Sequence, residues 1–314
     1  LASKAPETVH HSACAALSAR ENLAANDLAP VAQHDWLQLP ADRRYELVLM
    51  RMPKDIELLR AHCQRLRPQM TPGATLLCGV MDKYLSKSML ETLSAEIGPT
   101  HTTLGRRKSR LSVSRFDDFL TGSPPVPFRY PVEPFDLEVV SLPGVFAASR
   151  LDIGSRFLLE QFPKIPLAAA KRIADLGCGN GLLGLAVARS NTEAKVDFYD
   201  DSSLAIESAR LGARENFGNA ERFRFLQGDG LTGCPAGSLD LVLCNPPFHL
   251  GAQQDASIAE RLFTQAFSAL RTGGELWVVG NRHLGYHVKL QRLFERTETV
   301  AANRKFVVLK CRRS

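Results

Sequence analysis

Ile173-Ala174-Asp175-Leu176-Gly177-Cys178-Gly179-Asn180-Gly181 is a short apolar run that ends in an acid, a leucine and three glycines at alternate positions. Glycine lets a chain turn sharply and lets the backbone approach a ligand with no Cβ in the way. From Leu182 the apolar spacing becomes helical, so the turn leads into a helix N-terminus with free N–H groups. Strand, glycine turn and helix in this order form the first unit of a nucleoside-binding α/β sheet. Working outward, the strands read as Arg172–Leu176, Lys195–Tyr199, Phe223–Gln227, Leu239–Cys244, Glu275–Val279 and Lys305–Lys310. Helical patterns lie between them at Leu182–Arg189, Ser203–Asn216, Ile258–Leu270 and Tyr286–Arg296. Such alternation predicts a mostly parallel sheet covered on both faces, with an antiparallel pair formed by its last two strands.

The pattern occurs twice. Ala19-Arg20-Glu21-Asn22 recurs as Ala213-Arg214-Glu215-Asn216, and Glu46-Leu47-Val48-Leu49 recurs at the same offset of 194 as Asp240-Leu241-Val242-Leu243. Further on, Leu66-Arg67-Pro68 resembles Leu270-Arg271-Thr272 at an offset of 204, which predicts about ten extra residues in the second copy, around His249–Ser257. That polar segment reads as a flap. Prolines 124, 125, 127, 131, 134 and 143 mark the boundary. The expected organisation is a degenerate first copy of the pattern at 1–120, a linker at 121–135 and the complete copy at 136–314. The counterpart of the first strand and its glycine turn would lie upstream of Leu1.

Composition restricts the classes. Apolar residues are 45% and charged residues 23% of the 314, enough for two packed cores. There is no apolar run of membrane-spanning length and no signal peptide. Seven scattered cysteines without CxxC spacing read as free thiols in a reducing cytoplasm, and no metal is expected. A monomer is the default expectation. The net charge is +6 and is unevenly spread: no acid stands between Glu96 and Asp117, while Arg106, Arg107, Lys108 and Arg110 do. This run is a candidate RNA-binding surface, or else a solvated strand edge.

The chemistry is carried by strand ends. An acid before the glycines suits the cationic methionine end of S-adenosylmethionine and repels the pyrophosphate that GxGxxG turns bind. The expected cofactor is therefore S-adenosylmethionine, held near Asp175, Gly177, Gly179 and Gly181. Asp200 would accept from its ribose hydroxyls, and Asp229 and Gly230 would hold its adenine. Asn245-Pro246-Pro247-Phe248 follows the fourth strand. Two prolines stop the strand in a stiff turn. The Asn245 oxygen and the Pro246 carbonyl can each take one N–H of an exocyclic amine, whose lone pair is otherwise delocalised into its ring. Phe248 offers a stacking face. At the offset of 194 these four residues fall on Arg51-Met52-Pro53-Lys54, so the first copy cannot perform this chemistry.

Together with Gly144-Val145-Phe146, Leu151-Asp152-Ile153-Gly154, Asn281-Arg282-His283-Leu284 and the tail Asn303–Lys310, these motifs resemble the ribosomal RNA guanine-N2 methyltransferases of the RsmC/RlmG group. The tail and Leu47–Arg110 are more similar to the large-subunit branch. The resemblance implies two tandem class I (Rossmann-like) methyltransferase domains of which only the second is catalytic. It also implies ribosomal RNA as substrate, 23S rRNA for the branch that is more similar, and Phe146 and Asp152 close to the cofactor. NPPF-type turns also serve adenine-N6 enzymes, and the similar NPPY serves glutamine-N5 enzymes, so a 16S rRNA enzyme and a protein glutamine-N5 methyltransferase stand as alternatives.

Overall fold

The structure is a computed structural model and describes residues 6–219, 221–247 and 252–314. Its contacts divide the chain into two compact units, Leu1–Leu37 with Phe128–Ser314, and Gln38–Pro127. The division differs from the expected domain at 1–120: among the described residues, 6–37 group with the C-terminal unit.

That larger unit begins with β1 (Glu7–His10), α1 (Ala13–Ala25) and β2 (Ala32–Asp35), where β1 and β2 pair in parallel. The smaller unit follows with β3 (Tyr45–Arg51), α2 (Ile56–Leu66), β4 (Met70–Met81), α3 (Lys87–Glu96), β5 (Thr100–Thr102) and β6 (Ser109–Arg115). The chain then returns to the larger unit with the hairpin β7 (Phe128–Val132) and β8 (Leu137–Ser141), and α4 (Ile153–Leu159). Next come β9 (Arg172–Leu176), α5 (Leu182–Ser190), β10 (Lys195–Asp200), α6 (Ser203–Phe217), β11 (Phe223–Gln227) and β12 (Leu239–Cys244). The last elements are α7 (Ala252–Ala269), β13 (Leu270–Asn281), α8 (Tyr286–Gln291), β14 (Arg296–Ala302) and β15 (Phe306–Arg312).

The central sheet has seven strands in the order β11-β10-β9-β12-β13-β15-β14. Its first five strands are parallel, and β15 runs antiparallel to both β13 and β14. Alternate residues supply two cores. Ile173, Val196, Phe198, Leu243 and Trp277 join α4, α5 and α6 on one face; Ala174, Leu176, Val242, Leu276 and Val278 join α7 and α8 on the other. This is the α/β methyltransferase arrangement, with strand order reversing at β9 and β12 so that a crevice opens beyond their C-terminal ends. The sequence pattern does not announce β14, because the helix before it stops at Gln291 and the edge strand has no apolar alternation. All seven cysteines are free thiols, five of them buried.

The smaller unit carries a four-stranded sheet, β3-β4-β6-β5, with β3 and β4 parallel and the other pairs antiparallel. The expectation of two covered faces fails here. Burial alternates strictly along β4 from Ala74 to Val80, whereas β13 is buried without interruption from Gly274 through Asn281. Leu59, Cys63 and Leu93 of α2 and α3 are fully buried, while Leu49 on the sheet is 73% exposed.

Strand register gives a smaller extra segment than the offset of 204 predicts. Leu47 pairs with Thr75 and Leu241 with Glu275, so the offset grows from 194 to 200, not to 204. The extra length falls at the helix, which has 18 residues in α7 against 11 in α2. From Ala252 onward the expected flap is therefore helix; Phe248 and residues 249–251 lie outside the described residues.

Residues 11–13 and 201–203 meet reciprocally. The Ala13 N–H donates to the Asp201 carbonyl (3.0 Å), and the Ser203 N–H donates to the His11 carbonyl (2.7 Å). The Asp201 carboxylate also accepts from the Ser12 hydroxyl (2.6 Å) and the Cys14 N–H (2.7 Å), so it caps α1 from another part of the chain. Removing a cap costs about 0.5–2 kcal/mol. We expect Asp201→Ala to lose about that much stability in chemical denaturation, with faster hydrogen exchange in α1 and unchanged protection in α5. Equal α1 exchange in variant and parent would show that the cap does not hold this segment.

Candidate active site

Four parallel strands end side by side. Register sets Leu176 of β9 against Tyr199 of β10 and Cys244 of β12, and Asp200 against Gln227 of β11. The residues that follow (Gly177, Asp200, Gly228 and Asn245) therefore lie along one edge. This is why motifs far apart in the chain form a single site.

The glycine turn is braced from below and from the side. Asp175 is 1% exposed, and its Oδ2 accepts the Gly184 N–H (2.8 Å) in the first turn of α5. Burial pushes this carboxyl up to about 8; the Gly184 hydrogen bond pulls it down and the nearby Asp200 raises it. The Gly177 and Cys178 N–H groups both donate to the Tyr199 carbonyl. Gly179 donates to Asp200 Oδ2 (2.9 Å), while Asp200 Oδ1 takes the Ser202 N–H (2.9 Å). Burial raises the Asp200 carboxyl as well.

The three glycines have different reasons to be glycine. At Gly177 (φ +70°) and Gly179 (φ +55°) an added Cβ would meet nothing within 4 Å, so both face an open cradle. At Gly181 a Cβ would lie 2.8 Å from that of Ala209, so its small size serves helix packing. Gly230 is of the second kind, since a Cβ there would strike the Gln265 side chain. Asp229 forms an ion pair with Arg261 (2.9 Å), a competitor for any adenine amino group. Phe146 is 44% exposed on a loop whose next residue, Ala147, has φ +55°.

Asn180 stands between two of the glycines, and nothing in the sequence pattern singles it out. It is buried, and its Nδ2 donates to the Tyr130 hydroxyl (3.2 Å) and the Ala147 carbonyl (3.3 Å). It thus ties the glycine turn to β7 and to the loop that carries Phe146. Burial pushes the Tyr130 hydroxyl up to about 12.

At the end of β12, the Asn245 Nδ2 donates to Asp152 Oδ2 (3.2 Å) and to Ser155 Oγ (3.1 Å). Its Oδ1 is buried and has no hydrogen-bond partner among the described residues. A buried acceptor left unmet costs about 1–3 kcal/mol. The site therefore presents one amide oxygen ready to accept an N–H, one strand away from the open glycine cradle. Asp152 and Phe146 were expected only to lie near the cofactor; the structure brings Asp152 to Asn245, and Ser155 with it. Pro246 is buried and Pro247 exposed. Arg106, Arg107, Lys108 and Arg110 belong to the smaller unit. Arg106 and Ser109 exchange backbone hydrogen bonds across a tight turn in which Arg107 (φ +50°) and Lys108 (φ +60°) are both left-handed. Arg110 is engaged by Asp82 (2.6 Å).

Two family models match the chain: the methyltransferase small domain over residues 136–310 and the RLMG N-terminal domain over residues 1–118. A curated relative from Streptomyces avermitilis, named ribosomal RNA large subunit methyltransferase G, is 44% identical over 99% of this chain and 82% of its own length. One of the same name from Stutzerimonas stutzeri is 43% identical over 94% of this chain and 78% of its own. Among solved structures, the T. thermophilus 16S rRNA N2 G1207 methyltransferase RsmC, in complex with AdoMet and guanosine, shares the fold with a TM-score of 0.81. That match is at 22% identity, over 98% of this chain and 82% of the other.

The buried Asp175 gives a pH signature. Its folded value of about 8 lies far above the ordinary 3.8, so its contribution to stability is fully present below about pH 4 and is lost as pH rises through about 8. Asp175→Asn keeps an oxygen for the Gly184 N–H and cannot titrate. In the cofactor-free protein, the melting temperature of the Asn variant should gain on the parent's as pH rises from about 5 to about 9. Parallel curves across that range would refute the assignment.

Proposed function

The chain belongs to the ribosomal RNA large subunit methyltransferase G family, and from that premise we propose that it transfers a methyl group from S-adenosylmethionine to the exocyclic N2 amine of a guanine in large-subunit (23S) ribosomal RNA. The observation that carries the reading is the unmet, buried Oδ1 of Asn245 beside the glycine cradle. S-adenosylmethionine supplies the electrophilic methyl group when bound. Gly177 and Gly179 leave the space for it, Asp200 has lone pairs for its ribose hydroxyls, and Asp175 serves by bracing the turn from below, not by charge.

Asn245 Oδ1 takes one N–H of the guanine amine, and the Pro246 carbonyl takes the other. Holding both hydrogens draws the nitrogen towards tetrahedral geometry and directs its lone pair to the methyl carbon. The proton leaves to solvent after transfer, so no strong base is needed. Placement of this kind can be worth roughly 7–11 kcal/mol when the geometry is right. Asn245→Ala should reduce kcat at least tenfold, about 1.4 kcal/mol or more in barrier, with a modest change in cofactor affinity. The measurement is transfer of labelled methyl to bare large-subunit rRNA, with small-subunit rRNA and protein as controls. A tenth or more of parental turnover in the variant would exclude the role, and labelling of protein alone would exclude the substrate.

The smaller unit, together with the N-terminal segment, reads as a second, degenerate methyltransferase domain that binds RNA. Three correspondences support this. The sheet β3-β4-β6-β5 has the same strand directions as β12-β13-β15-β14. Both sheets skip register at the same place, between Tyr45 and Leu47 and between Leu239 and Leu241. The turns Arg106–Ser109 and Asn303–Phe306 occupy matching positions. Where the catalytic copy has Asn245 and Phe248, this one has Arg51 and Lys54. Lys54 and Lys83 each stand 4.7 Å from the Tyr84 ring centre, adding cations to those of the Arg106–Lys108 turn. Neutralising Arg106, Arg107 and Lys108 should weaken RNA binding. It should also flatten the slope of log affinity against log salt, by about 0.7–0.9 for each phosphate that the variant no longer neutralises. Arg110, already paired, should contribute less. An unchanged affinity and slope would remove this turn from the RNA interface.

A further inference from the structure

We infer that Asp152 is the positioning residue that decides which end of the Asn245 amide meets the substrate amine. The inference rests on the proposed role of Asn245. An amide has nearly the same shape after a half-turn about its last bond, but the two orientations are chemically opposite. With Oδ1 inward it accepts an N–H from the amine. With Nδ2 inward it presents donors to a donor and repels it. Something must hold one orientation.

The Nδ2 group faces two oxygens, Asp152 Oδ2 at 3.2 Å and Ser155 Oγ at 3.1 Å. They differ in what they enforce. A serine hydroxyl can accept or donate, so it would serve either orientation. A carboxylate only accepts, and a reversed amide would set oxygen against oxygen. Asp152 is therefore the discriminating partner. It is also fixed in place. Its Oδ2 caps α4 by accepting the Ser155 N–H (2.7 Å). A Cβ on Gly154 would lie 3.2 Å from that oxygen and 3.2 Å from the Phe306 ring, so the helix start closes tightly over it. The N-terminus of α4 thus holds a carboxylate rigidly behind the reacting amide.

A compensating pair of substitutions tests this. One atom, Asp152 Oδ2, accepts both the Ser155 N–H and the Asn245 amide; Asp152→Ser can still cap the helix, since serine is as good a cap as aspartate, but a hydroxyl can accept or donate and so suits either orientation of Asn245. Asn245→Asp keeps an acceptor but sets two carboxylates against each other. Each single variant should lose turnover by about 100-fold, the scale of losing one aligned transition-state hydrogen bond. The double variant Asp152→Ser with Asn245→Asp restores a donor at 152 and an acceptor at 245, because one hydroxyl can accept the Ser155 N–H while donating to the carboxylate. Its turnover should exceed that of either single variant at least tenfold. Melting temperature of the cofactor-free protein is read alongside, and should fall in Asn245→Asp and recover in the double variant. If stability recovers and turnover does not, the contact between 152 and 245 serves the fold and does not set the amide for catalysis, and the inference fails. A double variant slower than both singles, with or without stability loss, overturns it as well. Asn245→Ala separates the two levels: if that variant stays active, the proposed role of Asn245 itself is wrong. If it is inactive and the double variant fails to rescue, only the orientation by Asp152 is.

Discussion

Everything at the site depends on a carboxylate buried beneath a glycine turn. Asp175 is sealed from water and accepts the Gly184 N–H, so the end of β9 and the start of α5 are locked to each other. With that lock in place the turn between them has little freedom. Its N–H groups fall to Tyr199 and Asp200 on the neighbouring strand, and its two open glycines face the crevice. The cost is an acid held far above its ordinary range. The protein keeps it because an acceptor at this point organises backbone that no side-chain packing could reach.

The second constraint is the opposition of strand ends. Parallel pairing sets Cys244 level with Leu176, so the stiff turn after β12 stands next to the glycine cradle. Two prolines remove torsional freedom from the segment that carries Asn245. Asp152 and Ser155, arriving from α4, remove the remaining freedom of the Asn245 side chain. The position of the Asn245 amide is thus set by rigid elements: strand ends, prolines and a helix cap.

The N-terminal segment is tied to the start of α6 by a two-way crossing. Residues 11–13 and 201–203 make the same pair of backbone hydrogen bonds in both directions, and the Asp201 carboxylate caps α1. The helix that follows each crossing carries Ala-Arg-Glu-Asn, but one turn later in α6 than in α1, which is why the offset is 190 at the crossing and 194 at the motif. Sequence comparison detects the motif and misses the crossing.

The sequence by itself determined the elements around the glycine turn and the cofactor class, and it singled out the turn at Asn245. These rest on local rules. Glycines at alternate positions force the turn, paired prolines end a strand, and alternating apolar runs mark buried strands. Strands β9, β11 and β12 fall at the residues expected of them. Tertiary structure alone decided what those rules do not reach. It showed that Asp175 braces the turn, that Gly181 serves packing while Gly177 and Gly179 face open space, and that Asn180 reaches Tyr130, 50 residues earlier. It also brought Asp152 across 93 residues to the Asn245 amide. The physical reason is common to all of these. A hydrogen bond between distant residues is fixed by strand register and helix packing, and neither leaves a periodic mark at the positions it joins.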